Sequence, residues 1–267
     1  MEREISKMNK YEQVKIFIPT KGRLDDEKTY NILKEFGLNP TLVIEPQEVE
    51  KATALGYNFV TLPANNMGIA FSRNYILNKA RKEDFDYVCV MDDDIYRFGY
   101  ILDGGKRDYN NNAILTALDK FVDMKACGTM QSTQFAWCQI KPIVYNKCIQ
   151  CVHFWYMPQL RNIPLTFSDN IIEDKDFSLE LILNYNIETF RFNHLFFSTN
   201  IIGSKKGGIE NRLEQQKFWS YNMQQKWGKE IIDVVTEKNC KDGMINIRIN
   251  WRYVNKLIKE KRDSLQK

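Results

Sequence analysis

The chain has 267 residues, of which 43% are hydrophobic and 27% charged, and its formal net charge is +4. This length can bury the core of one large domain, and the composition is that of an ordinary soluble globular protein. No segment has the roughly 18 to 20 apolar residues that a membrane span needs, and the polar start "MEREISKMNKYEQ" is unlike a secretory signal. We therefore expect a cytoplasmic protein without membrane contact.

The charge is unevenly distributed along the chain. Residues 205–267 contain 15 Lys and Arg against 8 Asp and Glu, a net charge of +7, whereas residues 1–204 contain 23 against 26, a net charge of −3. A basic segment indicates an anionic partner, although a solvated basic helix face is an equally good interpretation. We divide the chain accordingly into a core, 1–204, and a basic, mostly helical C-terminal extension, 205–267.

The first part of the chain alternates predicted strands with predicted helices. The strands are expected at 14–20, 40–46, 58–63 and 86–91, and the helices at 25–36, 48–57 and 69–81. This alternation predicts an α/β fold with a mostly parallel sheet flanked by helices. Ligands of such sheets bind at the carboxyl ends of the strands, where polar residues follow three of the predicted strands.

The second part begins with a predicted amphipathic helix over 111–125 and several strands within 129–157. A helix then opens with "EDKDFSLEL" from Glu173, followed by a strand carrying His194 and a basic, glycine-containing loop at 203–208. The remainder is expected to be helical. Neither a P-loop nor a G-x-G-x-x-G sequence is present, so the ATP and dinucleotide fingerprints are missing.

Two acidic clusters carry the chemistry. Asp92, Asp93 and Asp94 directly follow an apolar strand, and like charges about 4 Å apart repel by about 1 kcal/mol even in water. A hard divalent cation such as Mg²⁺ or Mn²⁺ would relieve this repulsion. A carboxylate of the second cluster, from Glu173 onward, could accept a proton from an attacking hydroxyl. Together the clusters predict group transfer from an activated diphosphate to a hydroxyl.

Five stretches in this order resemble the GT-A-fold glycosyltransferases, which use nucleotide sugars. They are "FIPTKGR", "NNMGIAFSRN", "VMDDDI", "EDKDFSLEL" and "RFNH", and the resemblance covers about residues 14–204. It implies a GT-A (Rossmann-like) mixed, mostly parallel central sheet. It also implies a nucleotide-sugar donor, a UDP-sugar in our expectation, and a Mn²⁺ or Mg²⁺ ion.

The resemblance also implies roles for individual residues on the donor side. The nucleoside pocket would include Pro19, Thr20, Arg23 and Glu45. The diphosphate and ribose would be contacted by residues from four segments, namely Asn66, Gly68, Arg73, Asp92, Asp93, Lys205 and Lys206. The metal ligands would be Asp94, Asp92 and His194. A core or surface histidine is an equally good interpretation of His194.

On the acceptor side, the resemblance makes Asp174 the expected catalytic base, with Asp176 as the competing candidate. Glu173 would orient the acceptor. A base without a protein nucleophile implies a single displacement and inversion at the anomeric carbon.

Within this class, "IPTKGR", "MDDDI" and "EDKDFSL" look most like the TET/JBP-associated glycosyltransferases, which act on hydroxymethylated pyrimidines in DNA. The resemblance implies transfer of glucose to a 5-hydroxymethylpyrimidine, in a host cytoplasm if a phage encodes the protein. The basic extension fits a DNA acceptor, because Lys and Arg neutralise phosphates. Two alternatives stay open: a protein, glycan or lipid acceptor, and a non-catalytic nucleic-acid-binding module.

Overall fold

The computed structural model describes residues 9–134, 141–199, 212–236 and 245–265, and one mixed β-sheet lies at its centre. Ten strands of the described chain form this sheet: β1 (Val14–Pro19), β2 (Thr41–Ile44), β3 (Phe59–Thr61), β4 (Tyr87–Met91), β5 (Ile95–Ile101), β6 (Arg107–Asp108), β7 (Cys127–Ser132), β8 (Ile143–Tyr145), β9 (Val152–Tyr156) and β10 (Thr189–Thr199). Their order is β3-β2-β1-β4-β9-β7-β10-β5-β6, and β8 pairs with the first part of β10. Seven strands point in one direction, while β5, β8 and β9 run the opposite way.

Helices cover both faces of this sheet. They are α1 (Lys28–Glu35), α2 (Val49–Ala54), α3 (Gly68–Lys82), α4 (Ala113–Met124), α5 (Met157–Leu160) and α6 (Glu173–Leu179), which continues as a π-helical turn, Glu180–Asn184. One apolar cluster receives Leu33 of α1 and Ile114 of α4, and the cluster on the other face receives Ile76 of α3 and Phe177 of α6. The helices therefore bury their apolar faces against opposite sides of the sheet.

The C-terminal part adds a third apolar cluster next to the far end of α6. Helix α7 (Arg212–Trp227), a hairpin of β11 (Ile232–Thr236) and β12 (Ile245–Ile249), and helix α8 (Trp251–Leu265) form it. Residues of α6 and its π-turn are buried in the same cluster as Met223 of α7 and Ile258 of α8. The extension is thus packed on the core through α6.

The predicted α/β class, with a mixed and mostly parallel sheet flanked by helices, is confirmed. Gly37 and Gly56 follow α1 and α2 in the left-handed conformation that is common where helices end. Within the described residues, no helix is long and apolar enough to cross a membrane.

Two elements differ from the sequence-based expectation. The extension was predicted to be mostly helical, without strands, but "IDVVT" and "INIRI" form the β11–β12 hairpin, because β-branched residues pack well on a pleated surface. Strand β5, directly after the three aspartates, was not predicted. Its partner β10 lies about a hundred residues away, and such long-range pairing leaves little local signal.

Candidate active site

Polar side chains meet at one edge of the sheet. Thr20 follows β1, Glu45 follows β2, and Asp92 to Asp94 follow β4. Because β1 pairs in parallel with both β2 and β4, the carboxyl ends of these strands lie side by side. This edge is where parallel sheets place their ligands.

The three aspartates form a short, fixed connection between β4 and β5. The hydroxyl of Thr29, in the first turn of α1, donates to the carbonyl of Asp92 at 2.7 Å. The amide of Asp92 donates to the carbonyl of Cys151 at 2.8 Å, just before β9. The backbone that carries the aspartates is therefore held from two sides.

Each aspartate has a different environment. Asp93 is buried, and its carboxylate binds Arg23 Nη1 at 2.6 Å and Thr20 Oγ1 at 2.8 Å. Asp92 binds Arg73 Nη2 at 2.9 Å. No other described side chain binds the carboxylate of Asp94. Burial, followed by the charges of Asp92 and Asp93, raises the pKa of Asp94 to about 6. A nearby cation would favour its ionised form.

The buried guanidinium of Arg73 joins the two acidic clusters. Arg73 is 4% exposed, and while Nη2 binds Asp92, Nη1 donates to Glu173 at the start of α6. The Arg73 Cζ atom also lies 5.7 Å from the centre of the Phe167 ring. Burial raises the pKa of Glu173 to about 7, against the opposing effect of Arg73. The two clusters, 80 residues apart in sequence, thus belong to one site.

A fully buried carboxyl group lies beneath this site. Thr20 Oγ1 is 2.5 Å from Glu27 Oε1 and 2.8 Å from Asp93 Oδ2. One hydroxyl hydrogen cannot serve two carboxylates, so one carboxyl group carries a proton. Burial raises the pKa of Glu27 to about 8, with Asp93 adding to the shift, which favours the protonated form of Glu27 at neutral pH. In this form Glu27 can donate to Thr20 while Thr20 donates to Asp93.

Glu45 shapes the loop that precedes α3. The Glu45 carboxylate is buried and accepts the amide of Asn66 at 2.7 Å and Gln47 Nε2 at 2.8 Å. Lys21 lies 3.4 Å from the same carboxylate and 2.5 Å from Asn66 Oδ1. Asn66 (φ 60°) and Gly68 (φ 83°) both adopt the left-handed conformation in this loop. These contacts therefore hold both the loop and the Glu45 side chain in place.

The second acidic cluster separates into a partnered and an accessible aspartate. Asp176 is 1% exposed and binds Ser168, Lys226 and Trp227. Asp174 is partly exposed, and its Oδ1 accepts the amide of Lys175 at 2.7 Å. No described side chain binds the Asp174 carboxylate. Asp174 is the member of this cluster that a ligand can reach.

The structure does not bring His194 to the aspartates. Strand β10 runs antiparallel to β5, and Leu195 pairs with Tyr100, which is six residues beyond Asp94. At about 3.4 Å per residue, this is a separation of roughly 20 Å. The His194 ring binds the carbonyl of Pro142 at 2.8 Å, and β10 approaches the aspartates only at Thr199.

The remaining predicted residues are placed as follows. Pro19 is buried at the end of β1, next to Thr20. Lys205 and Lys206 lie outside the described residues.

Sequence reasoning missed several residues that hold the site together. They are Glu27, Thr29, Cys151, Ser168 and Trp227. Glu27 and Thr29 lie at the start of a predicted helix next to "TKGR", and this nearness is a signal that could have found them. Trp227 is 51 residues from its partner Asp176, and no motif links the two.

Comparison with known families places the chain in one of them. A sequence model of the TET-Associated Glycosyltransferase family matches residues 14–208, which is most of the chain. The protein belongs to this family, and it is a glycosyltransferase. The matched span contains both acidic clusters and Arg73, and it ends before α7.

Solved structures with a similar chain course are distant. One, assigned as a nucleotide-diphospho-sugar transferase from Desulfovibrio desulfuricans, is 10% identical, with 93% of this chain and 97% of that chain covered and a TM-score of 0.43. Another, CMP:2-keto-3-deoxy-manno-octonic acid synthetase complexed with CTP, is 13% identical over 79% of this chain and 99% of that chain, with a TM-score of 0.43. At these scores neither likeness bears on the function of this chain. No curated protein matches the sequence.

Replacing Arg73 by Met should destabilise the protein strongly, because the buried Glu173 and the partly buried Asp92 lose their shared cation. Removing one partner of a buried ion pair costs about 3 to 5 kcal/mol. The measurement is the free energy of unfolding in urea. Arg161→Met is the matched control, since this arginine also contacts two aspartates, Asp84 and Asp86, but at the surface, where a pair contributes about 1 kcal/mol or less. Equal losses in the two variants would contradict the buried bridge.

The buried Glu27 should make stability depend on pH. Its carboxyl has a pKa of about 8 in the folded protein against an ordinary value of 4.5. As pH rises between these values, the unfolded chain releases the proton and the folded protein keeps it, so the free energy of unfolding declines. Glu27→Gln can still donate to Thr20 but has no such proton, so its stability relative to the wild type should increase from about pH 5 to pH 8.

Urea unfolding at a series of pH values checks this expectation. The control is Glu35→Gln, because Glu35 is exposed at the end of α1. Parallel curves for the wild type and Glu27→Gln would show that Glu27 is ionised in the folded protein.

Proposed function

We propose that this glycosyltransferase moves glucose from a UDP-sugar to the hydroxyl of a 5-hydroxymethylpyrimidine in DNA, with inversion and with the help of a divalent cation. The observation that carries the proposal is the Arg73 bridge. It joins Asp92, a carboxylate of the donor-side cluster, to Glu173. Glu173 is the residue directly before the proposed base, Asp174. A leaving diphosphate and an attacking hydroxyl can therefore be handled in one place.

The donor-side residues fit a divalent cation. Hard oxygen ligands suit Mg²⁺ and Mn²⁺, and Mg²⁺ is usually held by one or two carboxylates together with substrate phosphates. Among the described residues, no other side chain binds the Asp94 carboxylate. Its pKa is raised by burial and then by the charges of Asp92 and Asp93, and a cation would oppose both effects. Within the described part of the chain, no group of three His, Cys, Asp or Glu side chains could hold a metal. A cation on Asp94 and Asp92 would thus complete its shell with diphosphate oxygens, whose negative charge it would neutralise.

The base assignment follows from the occupancy of the two aspartates. A general base needs a free oxygen within reach of the hydroxyl proton. Both oxygens of Asp176 accept hydrogen bonds from an ammonium group, an indole and a hydroxyl, whereas Asp174 is partly exposed. We therefore assign the base to Asp174. Glu173 orients Arg73, and Arg73 holds the carboxylates in place.

The other donor-side residues keep the roles that the family resemblance implies. Pro19, Thr20 and Arg23 line the nucleoside pocket, and Glu45 supports the loop of Asn66 and Gly68 beside it. Lys205 and Lys206 are proposed to contact the diphosphate.

The acceptor surface is proposed on the basic helices of the extension. Arg252, Lys256 and Lys259 are exposed and recur at helical spacing along one side of α8. On α7, Phe218 and Tyr221 are 60% and 51% exposed one turn apart, beside the exposed Lys217. Cations can neutralise backbone phosphates and exposed aromatic rings can stack on unpaired bases.

Transfer activity tests the enzymatic proposal. Purified protein, a UDP-sugar with Mn²⁺, and DNA containing hydroxymethylcytosine or hydroxymethyluracil should give glycosylated DNA, and chelation should abolish the reaction.

Asp174→Asn and Asp94→Asn should each lose transfer and keep the fold, because the base and the cation ligand are removed without loss of volume. Asp123→Asn, at the exposed end of α4, is the matched control. Full activity of Asp174→Asn would remove this residue as base, and NMR of the product would refute inversion if the donor anomer were retained.

Salt dependence tests the DNA acceptor. If α8 contacts phosphates, log affinity should fall with log salt by about 0.9 per duplex phosphate neutralised. Lys256→Glu combined with Lys259→Glu should raise the KM for DNA, flatten the salt dependence and leave UDP-sugar hydrolysis unchanged. Lys34→Glu, an exposed charge on α1, is the control. Transfer that occurs only to a protein, glycan or lipid hydroxyl would refute the DNA acceptor. Binding of DNA without any transfer would refute the proposed reaction.

A further inference from the structure

The second acidic cluster is held by two residues that lie outside the family-matched span. Asp176 Oδ1 accepts Trp227 Nε1 at 2.7 Å and Lys226 Nζ at 2.8 Å, and Oδ2 accepts Lys226 Nζ at 2.9 Å. Both donors come from the last turn of α7, which begins after the matched residues 14–208. Ser168 binds the same carboxylate from the segment before α6.

These contacts fix the end of α7 against α6. Lys226 Nζ also binds Glu180 at 2.8 Å, one turn beyond Asp176. It lies 5.0 Å from the centre of the Trp227 ring, and this ring packs on the third apolar cluster. The bonds of Lys226 and Trp227 to Asp176 are charge-assisted, and such bonds are roughly twice as strong as neutral ones. The register of α7 on α6 is therefore set by a small number of directional contacts.

The proposed base lies between two such attachments. Glu173 precedes Asp174 and is bound to Arg73, and Asp176 follows it and is bound to α7. All three acidic residues belong to the first turn of α6. A rotation or axial shift of this turn would move the Asp174 carboxylate, and the two attachments oppose such a movement from opposite sides. A misplacement of about 1 Å can reduce a rate by about 100-fold.

We propose that Lys226 and Trp227 are positioning residues for Asp174, so that the C-terminal extension completes the catalytic centre in addition to any contact it makes with the acceptor. This inference rests on the proposed function, because it concerns the base of that reaction. It assigns the ammonium group of the exposed Lys226 to the contact with α6. The ammonium group of Lys226 is bound to two carboxylates of α6, and it is therefore not among the cations that we assign to DNA.

The test compares Lys226→Met and Trp227→Phe with two matched controls in the full-length protein. Trp219→Phe changes another tryptophan of α7 that packs on the same apolar cluster but makes no described contact with Asp176. Lys79→Met removes a lysine that pairs with Glu83 on α3, away from the acidic clusters. Steady-state kinetics with a UDP-sugar and modified DNA give kcat and the KM for the donor, and urea unfolding gives the stability of each variant.

We expect kcat to fall by up to about 100-fold in Lys226→Met and Trp227→Phe, with the KM for the donor unchanged. Lys226→Arg should recover most of kcat, because a guanidinium also binds two carboxylates. If Lys226→Met does not fold, Lys226→Gln replaces it, since its amide can still donate to Asp176. Losses of kcat no greater than those of the two controls would overturn the proposal and leave a purely structural anchor. A folded wild type inactive with every donor would instead refute the proposed function.

Discussion

The site depends on one buried guanidinium. Arg73 is almost completely enclosed and binds Asp92 at the end of β4 and Glu173 at the start of α6. A planar guanidinium with five donors can serve two carboxylates at once, whereas a lysine offers a single point charge. Burying Arg73 and Glu173 is costly, and only their pairing compensates the lost hydration. The Arg73 bridge therefore holds the sheet edge and α6 together, because water cannot take the place of this pairing at a buried position.

This constraint divides the acidic residues into two groups. Asp93, Glu173 and Asp176 are buried, and each binds cationic or polar side chains of the protein, so their charges maintain structure. Asp94 and Asp174 have no such side-chain partner among the described residues and remain accessible to a ligand. The division explains how so many carboxylates can lie together at neutral pH. Burial raises the pKa of Glu27 beneath Thr20 to about 8, which reduces the negative charge further at neutral pH.

The C-terminal extension belongs to the same arrangement. Its third apolar cluster includes residues of α6 and of the π-turn, so α6 is packed against the core on one side and against α7 and α8 on the other. The helix that carries the proposed base is thus in contact with both the core and the extension.

The sequence by itself determined the α/β class, the strand ends that carry the polar residues, and the two acidic clusters, because these features depend on local patterns of apolar, charged and turn-forming residues. Only the tertiary structure decided which carboxylates are free. Asp174 and Asp176 are two residues apart and chemically identical, and they differ because Lys226 and Trp227 arrive from a distant helix. His194 was placed near the aspartates by its order in the chain, but the antiparallel pairing of β10 with β5 carries it to the opposite end of the strand. Burial and long-range pairing set the protonation and accessibility of each group, and neither is encoded in the few residues around it.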